Sequence, residues 1–400
     1  PYQQGALYQT LKFLQQATFM SITSINTASD TAALPSKIFN TEKDDYTRPE
    51  IILGQDPGLF DTINKHYPPL WKLYKTLKGQ DWDENEFDYS PCNVQFKSCD
   101  KNTYDMMMKT LAWQWEADSV ASRSIVGVLA PVCTSSEAWA GWVEITRNEV
   151  VHAATYSEIV RNSFDNPDDI LEEILSVKQA MDRLKVVGGV FNNALSTSYD
   201  YVRGERSNDQ ETYNSIYLFI VALLCMERIQ FMASFAVTFG ICEGTGLFQP
   251  IGKAVQKIAQ DEFEVHVQYG KEVLRAMYKT ERGRIAFEQC KSTIVAMINE
   301  VDASEVTWTE YAFSEDRELT GVTCQMMIDW VHFSSTDVAR FFGLEKEVAF
   351  PLVDENPLKY MEAWLDMSKI QASNQEEDTA QYKVGVMQRD DENEIFEVEF

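Results

Sequence analysis

The sequence predicts an all-α fold in which long helices pack as one bundle. Between about residue 102 and residue 342, apolar residues recur at helical spacing and strand-like alternation is scarce. The connections between these segments are short, which favours antiparallel neighbours. With 44% hydrophobic residues and only 18 Gly and 12 Pro, the chain carries enough apolar side chain for a substantial core.

Seven long helices fill this central region. Their ends coincide with stop and start signals such as Pro131, the cap candidate Ser135, Pro167 and Gly204. The predicted helices cover residues 102–128, 136–165, 168–197, 209–240, 250–279, 284–312 and 318–342.

The flanking segments have a different character. Residues 1–100 are expected to form an irregular arm with short helices, because closely spaced prolines interrupt the helical pattern. The bundle is assigned to residues 101–345, and a C-terminal helical extension with a helix near 357–368 to residues 346–370. Residues 371–400 are expected to form a flexible acidic tail with interleaved apolar residues, a composition typical of a peptide that orders on a partner.

The charge balance excludes several classes of partner. Sixty-two acidic residues against 35 basic residues give a net charge of −27, which argues against a nucleic-acid-binding surface.

No apolar run approaches the roughly 20 residues that span a bilayer, and the start of the chain lacks the pattern of a signal peptide. The seven cysteines form no C-x-x-C pair. We therefore expect a soluble cytoplasmic protein with reduced thiols and no membrane partner.

Two of the four histidines, His152 and His266, lie on predicted helices just after a glutamate. Since an α-helix turns by about 100° per residue, Glu149, His152 and Tyr156 in NEVVHAATY lie at roughly 0°, −60° and −20° around the axis. The apolar pattern marks this shared face as the interior. A carboxylate, an imidazole and a phenol are therefore expected to project together into the core.

Further carboxylates occur in helices that are otherwise largely apolar. Asp118 lies in LAWQWEADSVASRSIVGVL, Glu227 in LFIVALLCMERIQFMASFAVTF, and Glu262 precedes His266 in QDEFEVH. Buried carboxylates are costly unless cations or hydrogen bonds compensate them. One carboxylate from each of two helices and a Glu/His pair from each of two others form the ligand set of ferritin-like dinuclear iron or manganese bundles. Taken alone, Glu227 could instead form an ion pair with Arg228 or a helix-end contact.

Four segments resemble, in order and spacing, the metal-binding helices of the small, radical-generating subunit of class I ribonucleotide reductase. They are TLAWQWEADSVASRS, WVEITRNEVVHAATYSEIVRNSFDNP, CMERIQFMASFAVTFGICEG and IAQDEFEVH. The resemblance extends from about residue 39 to residue 400. It implies a ferritin-like bundle, a homodimer, and two iron ions, two manganese ions or one of each per chain. It also implies that the acidic tail docks on the large catalytic subunit.

The resemblance implies roles for individual residues. Its six metal ligands are Asp118, Glu149 and His152 for one ion, and Glu227, Glu262 and His266 for the other. The dimetal centre would activate oxygen and oxidise Tyr156 to a tyrosyl radical. Three apolar side chains, those of Phe231, Phe235 and Ile258, would shield this radical from water.

A route for electron transfer is also implied. Trp82 in DWDENEFDYS matches the tryptophan of the family's electron-transfer path, and Asp261 matches the carboxylate that links it to the metal-bound histidine. Tyr382 in QYKVG would relay the radical at the boundary with the large subunit. In such a pair the large subunit reduces ribonucleotides, and this chain alone would reduce none.

One spacing departs from the family pattern. The second pair is usually Glu-x-x-His, whereas Glu262 and His266 are four residues apart. Four residues still put both side chains on one face, offset by about 40°, and a one-residue π-bulge could restore the usual geometry. Asp261 and Glu264 remain alternative ligands at this stage.

Two other functions would use the same ligands. A stand-alone ferritin-like oxidase or hydroxylase would have no need of Trp82, Asp261 or Tyr382. In a metal-storage or purely structural bundle, Tyr156 would be only a core tyrosine bonded to a carboxylate.

Overall fold

The computed structural model describes residue 40 and residues 49–366. Fourteen α-helices and two π-helical segments make up this part of the chain, so the all-α fold class is confirmed. The described residues contain isolated bridges, between Ile52 and Cys133 and between Leu319 and Val322, but no β-strand. The predicted acidic tail and Tyr382 lie outside the described residues.

The α-helices are numbered in chain order. They are α1 (Pro68–Gly79), α2 (Ser90–Ser98), α3 (Lys101–Leu129), α4 (Ser136–Ser163), α5 (Pro167–Leu175), α6 (Lys178–Arg183), α7 (Lys185–Arg203), α8 (Gln210–Cys225), α9 (Met232–Thr245), α10 (Gln249–Gln260), α11 (Val267–Tyr278), α12 (Glu281–Ala312), α13 (Cys324–Phe342) and α14 (Lys359–Trp364). The first π-helical segment, Met226–Phe231, joins α8 to α9, and the second, Asp261–His266, joins α10 to α11. Helix α3 packs along α4, α7 along α8, and α12 along α13.

Side-chain caps fix where the long helices begin. The Asp100 and Ser135 side chains accept hydrogen bonds from backbone amides in the first turns of α3 and α4. Asp209 and Thr280 do the same for α8 and α12. A cap of this kind stabilises a helix by about 1 kcal/mol. The caps on α3 and α4 also set the starting points of two helices that supply side chains to the site described below.

The single helix predicted at 168–197 is wrong. The structure divides this stretch into α5, α6 and α7, and α7 continues to Arg203. The chain leaves α5 at Ser176, whose hydroxyl donates to the Glu173 carbonyl. Helix α6 then brings Arg183 into an ion pair with Glu305 of α12. Tertiary contacts of this kind can override the helical periodicity of a sequence.

The segment Gln210–Thr245 is long and apolar enough, by length and composition, to cross a membrane. No such run was expected from the sequence, because Glu227 and Arg228 interrupt it. In the structure 94% of its apolar window is buried inside the protein. A helix that is apolar on all sides is typical of the centre of a large bundle, so this segment is core and it carries Glu227 into the interior.

Replacing Gly141 with alanine tests the contact between α4 and α11. A methyl group at this position would collide with the Tyr269 ring. We expect Gly141→Ala to lower the free energy of unfolding by about 1–3 kcal/mol through overpacking, as measured by urea denaturation followed by circular dichroism. The matched control is Gly189→Ala in α7, where the surrounding space is open and alanine favours the helix by about 1 kcal/mol. An unchanged stability of Gly141→Ala would contradict the close contact.

Candidate metal centre

Four segments of the bundle converge on one buried cluster of carboxylates and imidazoles. Its members are Asp118 from α3, Glu149 and His152 from α4, Glu227 from the first π-helical segment, and Glu262 and His266 from the second. Each of the six is at most 3% exposed. The structure thus brings together all six ligand candidates named from the sequence.

The cluster divides into two overlapping groups of potential ligand atoms. Asp118, Glu149, His152 and Glu262 offer one set, in which all atoms lie within 4.8 Å of one another. In the other set, Glu227 and His266 join Glu149 and Glu262 within the same distance. Glu149 and Glu262 belong to both groups, so both residues would help to hold either of two cations.

The two imidazoles face the carboxylates through the same ring atom. Nδ1 of His152 lies 3.0 Å from Oε1 of Glu262, and Nδ1 of His266 lies 2.6 Å from Oε2 of the same residue. Nδ1 of His266 is also 3.2 Å from Oε1 of Glu149. The Nδ1 lone pairs are therefore aimed at the shared space between the two groups, where a cation would bind.

The opposite ring atoms are fixed by neighbours. Nε2 of His152 lies 3.2 Å from Oδ2 of Asp261, and Nε2 of His266 lies 2.9 Å from Oδ1 of Asn148. An N–H donated from Nε2 leaves Nδ1 unprotonated and available to a metal ion. Asn148 also donates from Nδ2 to Oδ2 of Asp261 at 3.0 Å. It thus links the outer sides of both imidazoles.

Asn148 was not named from the sequence. In the sequence, its only signal is its position next to Glu149 in NEVVH. A helical projection alone does not distinguish this residue from a surface asparagine. The structure buries it to 2% exposure. Its role depends on contacts with residues that lie more than a hundred positions away in the chain.

The fit of this cluster to metal ions follows from its unsatisfied polar atoms. In the part of the chain that the structure describes, both carboxylate oxygens of Asp118, Glu149, Glu227 and Glu262 lack a hydrogen-bond partner, as do both Nδ1 atoms. Leaving so many buried polar atoms uncompensated would be costly. Two cations would compensate them, and an oxygen-rich set with one imidazole per ion suits iron or manganese.

The electrostatics of the cluster point the same way. Burial and the neighbouring carboxylates raise the pKa values of Asp118 and Glu227 well above the ordinary range. Burial opposes a charged imidazole, yet the carboxylates of Glu262 and Glu149 raise the pKa of His266 to about 9. Burial also opposes ionisation of Glu262, but His266 holds the pKa of that carboxyl below its usual range. The carboxylates and imidazoles of the cluster therefore share protons, and bound cations would displace these protons.

The second π-helical segment explains the four-residue spacing between Glu262 and His266. The wider turn at Asp261–His266 directs Glu262 and His266 into the cluster. Asp261 points to the other side of His152, and Glu264 is exposed to solvent. The two alternative ligands considered from the sequence are therefore not part of either group. The first π-helical segment, which carries Glu227, was not expected.

Trp82 connects to the cluster through a short chain of contacts. Its Nε1 donates to Oδ2 of Asp261 at 2.7 Å, the same oxygen that lies beside Nε2 of His152. The indole and imidazole rings are also stacked, with centroids 5.9 Å apart. The structure therefore places Trp82, Asp261 and His152 in the continuous order that the sequence led us to expect.

Tyr156 lies in the buried core beside the cluster. It is 1% exposed, and its hydroxyl has no hydrogen-bond partner among the described residues. Phe231, Phe235 and Ile258 are fully buried, and the two phenyl rings stack at 5.6 Å. Burial, together with the nearby carboxylates, raises the pKa of Tyr156 well above its ordinary value. The phenol is therefore neutral in this environment.

A comparison with known families agrees with this geometry. The family model described as "Ribonucleotide reductase, small chain" matches residues 60–357. Ribonucleoside-diphosphate reductase subunit beta of Buchnera aphidicola subsp. Schizaphis graminum is 22% identical over 373 residues, which cover 90% of this chain and 97% of that protein. The protein of the same name from Enterobacteria phage T4 is 21% identical over 386 residues, with 90% and 98% covered.

Solved structures show the same fold. The ribonucleotide reductase R2 subunit from Clostridium botulinum superposes with a TM-score of 0.70 at 17% identity, covering 82% of this chain and 98% of that one. The dimanganese(II) protein NrdF of Streptococcus sanguinis gives a TM-score of 0.61 at 14% identity, with 76% and 98% covered.

Asn148→Ala tests how the imidazoles are oriented. It removes the acceptor of His266 and a donor to Asp261, so we expect affinity for Mn²⁺ to fall by about 10–100-fold, as measured by isothermal titration calorimetry. Asn162→Ala, at the exposed end of the same helix, is the control and should bind Mn²⁺ as the wild type does. Equal affinity of the Asn148→Ala protein would rule out the orienting role.

Proposed function

Because the chain belongs to the ribonucleotide reductase small-chain family, we propose that it generates and stores a tyrosyl radical as the small subunit of a class I ribonucleoside-diphosphate reductase. The observation that carries this proposal is the position of Tyr156. Its phenol is buried beside two groups of metal-ligand atoms. The same cluster is connected through His152 and Asp261 to Trp82.

Each chain would bind two metal ions. Asp118, Glu149 and His152 would hold one, and Glu227, Glu262 and His266 would hold the other. The two groups of ligand atoms and their shared carboxylates support this assignment. Iron, manganese or one ion of each suits the donors. When bound, the two ions supply the one-electron oxidising power of the centre, drawn from dioxygen or a reduced oxygen species.

The protein prepares Tyr156 for oxidation and then protects it. Oxidation removes one electron from the ring and the proton from Oη. Burial and then the Asp118 carboxylate raise the pKa of this phenol, so Tyr156 keeps its proton until it is oxidised, and the proton then passes to the buried carboxylates of the cluster. Phe231, Phe235 and Ile258 then exclude water and reductants, so that the neutral radical persists.

The electron vacancy at the centre, called the hole, is passed on through Trp82. Oxidation of this indole is favoured by the Asp261 carboxylate, which lies 2.7 Å from its N–H and can stabilise the positive charge or accept the proton. Transfer continues reversibly to Tyr382, which lies outside the described residues, and from there to a cysteine of the large subunit. Reduction of ribonucleotides takes place in that subunit.

The assembly combines a homodimer of this chain with the large subunit. Nine acidic residues between 376 and 400, with apolar residues between them, support docking of the tail as an ordered peptide. A cytoplasmic location is supported by the seven cysteines, all of which are free.

A stand-alone oxidase or hydroxylase is the rival with the same ligands. Such an enzyme needs an opening for its own substrate next to the metal ions and has no use for a buried indole. Here Tyr156 and all six ligands are at most 3% exposed, and the contact of Trp82 with Asp261 leads away from the cluster. These contacts favour radical transfer to a partner.

Tyr156→Phe is expected to abolish the tyrosyl signal in low-temperature electron paramagnetic resonance after metal loading and exposure to air. Metal content should stay at the wild-type level, because the phenol is not a ligand, and elemental analysis checks this. Tyr217→Phe removes another buried hydroxyl and should leave the signal unchanged. A signal that survives in the Tyr156→Phe protein would assign the radical to another residue.

Trp82→Phe and removal of residues 376–400 are expected to separate radical transfer from docking. Both proteins should keep the tyrosyl signal and lose deoxyribonucleotide formation in the presence of the large subunit. Only the truncated protein should lose binding to that subunit, as measured by surface plasmon resonance. Wild-type turnover with Trp82→Phe would remove this indole from the path, and wild-type binding by the truncated protein would remove the docking role of the tail.

A further inference from the structure

A buried arginine lies between two tryptophan rings close to the metal centre. Cζ of Arg183 is 3.7 Å from the ring centroid of Trp113 and 4.1 Å from that of Trp308. Arg183 is 1% exposed, and the two indoles are 0% and 2% exposed. A cation enclosed by two aromatic faces in a dry interior interacts strongly with both rings.

The charge of this arginine is balanced at its edge. Nε of Arg183 donates to Oε1 of Glu305 at 2.9 Å, and Nη2 donates to Oε2 of the same carboxylate. Nη2 also donates to the Gln230 carbonyl of the first π-helical segment. A carboxylate paired in this way lies beyond the edge of the guanidinium plane, and the guanidinium itself lies over both indole faces.

Trp113 contacts Phe231, one of the side chains assigned to shielding the radical. Its ring centroid is 4.9 Å from that of Phe231, and it lies on α3, the helix that carries Asp118. An oxidisable indole thus lies against a side chain that the proposed function uses. Nothing in the proposed function uses Trp113 or Trp308.

Trp113 and Trp82 differ in their electrostatic surroundings. The N–H of Trp82 donates to the Asp261 carboxylate, which favours a positive charge on the ring and can accept the proton. The N–H groups of Trp113 and Trp308 have no acceptor among residues 49–366. The ring of Trp113 faces a guanidinium, which stabilises the neutral indole and opposes a second positive charge at low effective dielectric.

We propose that Arg183 is an electrostatic guard that keeps Trp113 and Trp308 harder to oxidise than Trp82. The step that it suppresses is a one-electron transfer from the Trp113 ring to the oxidised centre or to the Tyr156 radical. That transfer would fill the hole and leave an indole cation radical, which would keep its N–H proton for want of an acceptor. The proposal rests on the proposed function, because that function supplies the oxidant. Arg183 is a positioning residue: it determines which residues are oxidised without reacting itself.

The test removes the charge and follows Trp113 directly. Arg183→Met combined with Glu305→Leu replaces the ion pair with apolar side chains of similar size, a change that proteins often tolerate. Metal-free proteins are oxidised by photogenerated ruthenium(III) tris-bipyridine, and transient absorption records the tryptophan radicals. The contribution of Trp113 is the signal lost when Trp113→Phe is added to the same protein.

We expect this contribution to be near zero in the wild type and severalfold larger in the neutral variant. Arg183→Lys, which retains the positive charge, should keep it near the wild-type level. If the neutral variant does not fold, as judged by circular dichroism, Arg183→Gln with Glu305→Gln provides the same comparison. Equal Trp113 contributions in wild-type and neutral proteins would overturn the proposal.

Metal-loaded proteins separate this proposal from the proposed function. The neutral variant should yield severalfold less tyrosyl radical per bound metal ion, and adding Trp113→Phe should restore the yield. A yield that Trp113→Phe does not restore would overturn the proposal that Arg183 protects Trp113 from oxidation. If wild-type protein forms no tyrosyl radical, the proposed function fails, whereas the metal-free measurement still decides whether Arg183 controls the oxidation of Trp113.

Discussion

Four carboxylates buried without hydrogen-bond partners impose the constraint on which the rest of this bundle depends. Asp118, Glu149, Glu227 and Glu262 have almost no exposure to water, and an uncompensated cluster of this kind would oppose folding. Cations or protons must therefore be present whenever the core is closed. The capped starts of α3 and α4 and the largely buried segment Gln210–Thr245 position these carboxylates.

The fold class and the six members of the cluster could be predicted from the sequence, because long helices repeat their apolar pattern and Glu/His pairs identify a face. Contacts between distant segments could not. Asn148 looks like any helical asparagine until it lies beside Asp261 and His266. The break near Ser176 comes shortly before Arg183, whose partner Glu305 lies far along the chain. The π-helical turn at Glu227 leaves no trace in a spacing, since Glu227 has no histidine partner.

Around the centre, charge distinguishes side chains that are chemically alike. Trp82 and Trp113 are both buried indoles near the cluster, but one donates to a carboxylate and the other faces a guanidinium. The direction of electron transfer in such a protein depends on which neighbouring residues carry charge. Distance to the metal centre alone does not determine which indole is oxidised. The first π-helical segment couples the two sides, because it supplies Glu227 to the cluster and the Gln230 carbonyl to Arg183.

The second π-helical segment has a consequence for how this chain can change over generations. A single extra residue in an α-helix rotates everything beyond it by about 100°, which would turn the buried face of α11 outward. The wide turn at Asp261–His266 absorbs the extra residue locally. Loss of one codon there would leave an ordinary helical turn with the same face inward. This stretch can therefore accommodate small insertions and deletions that most core helices cannot, even though it lies inside the most densely charged part of the protein.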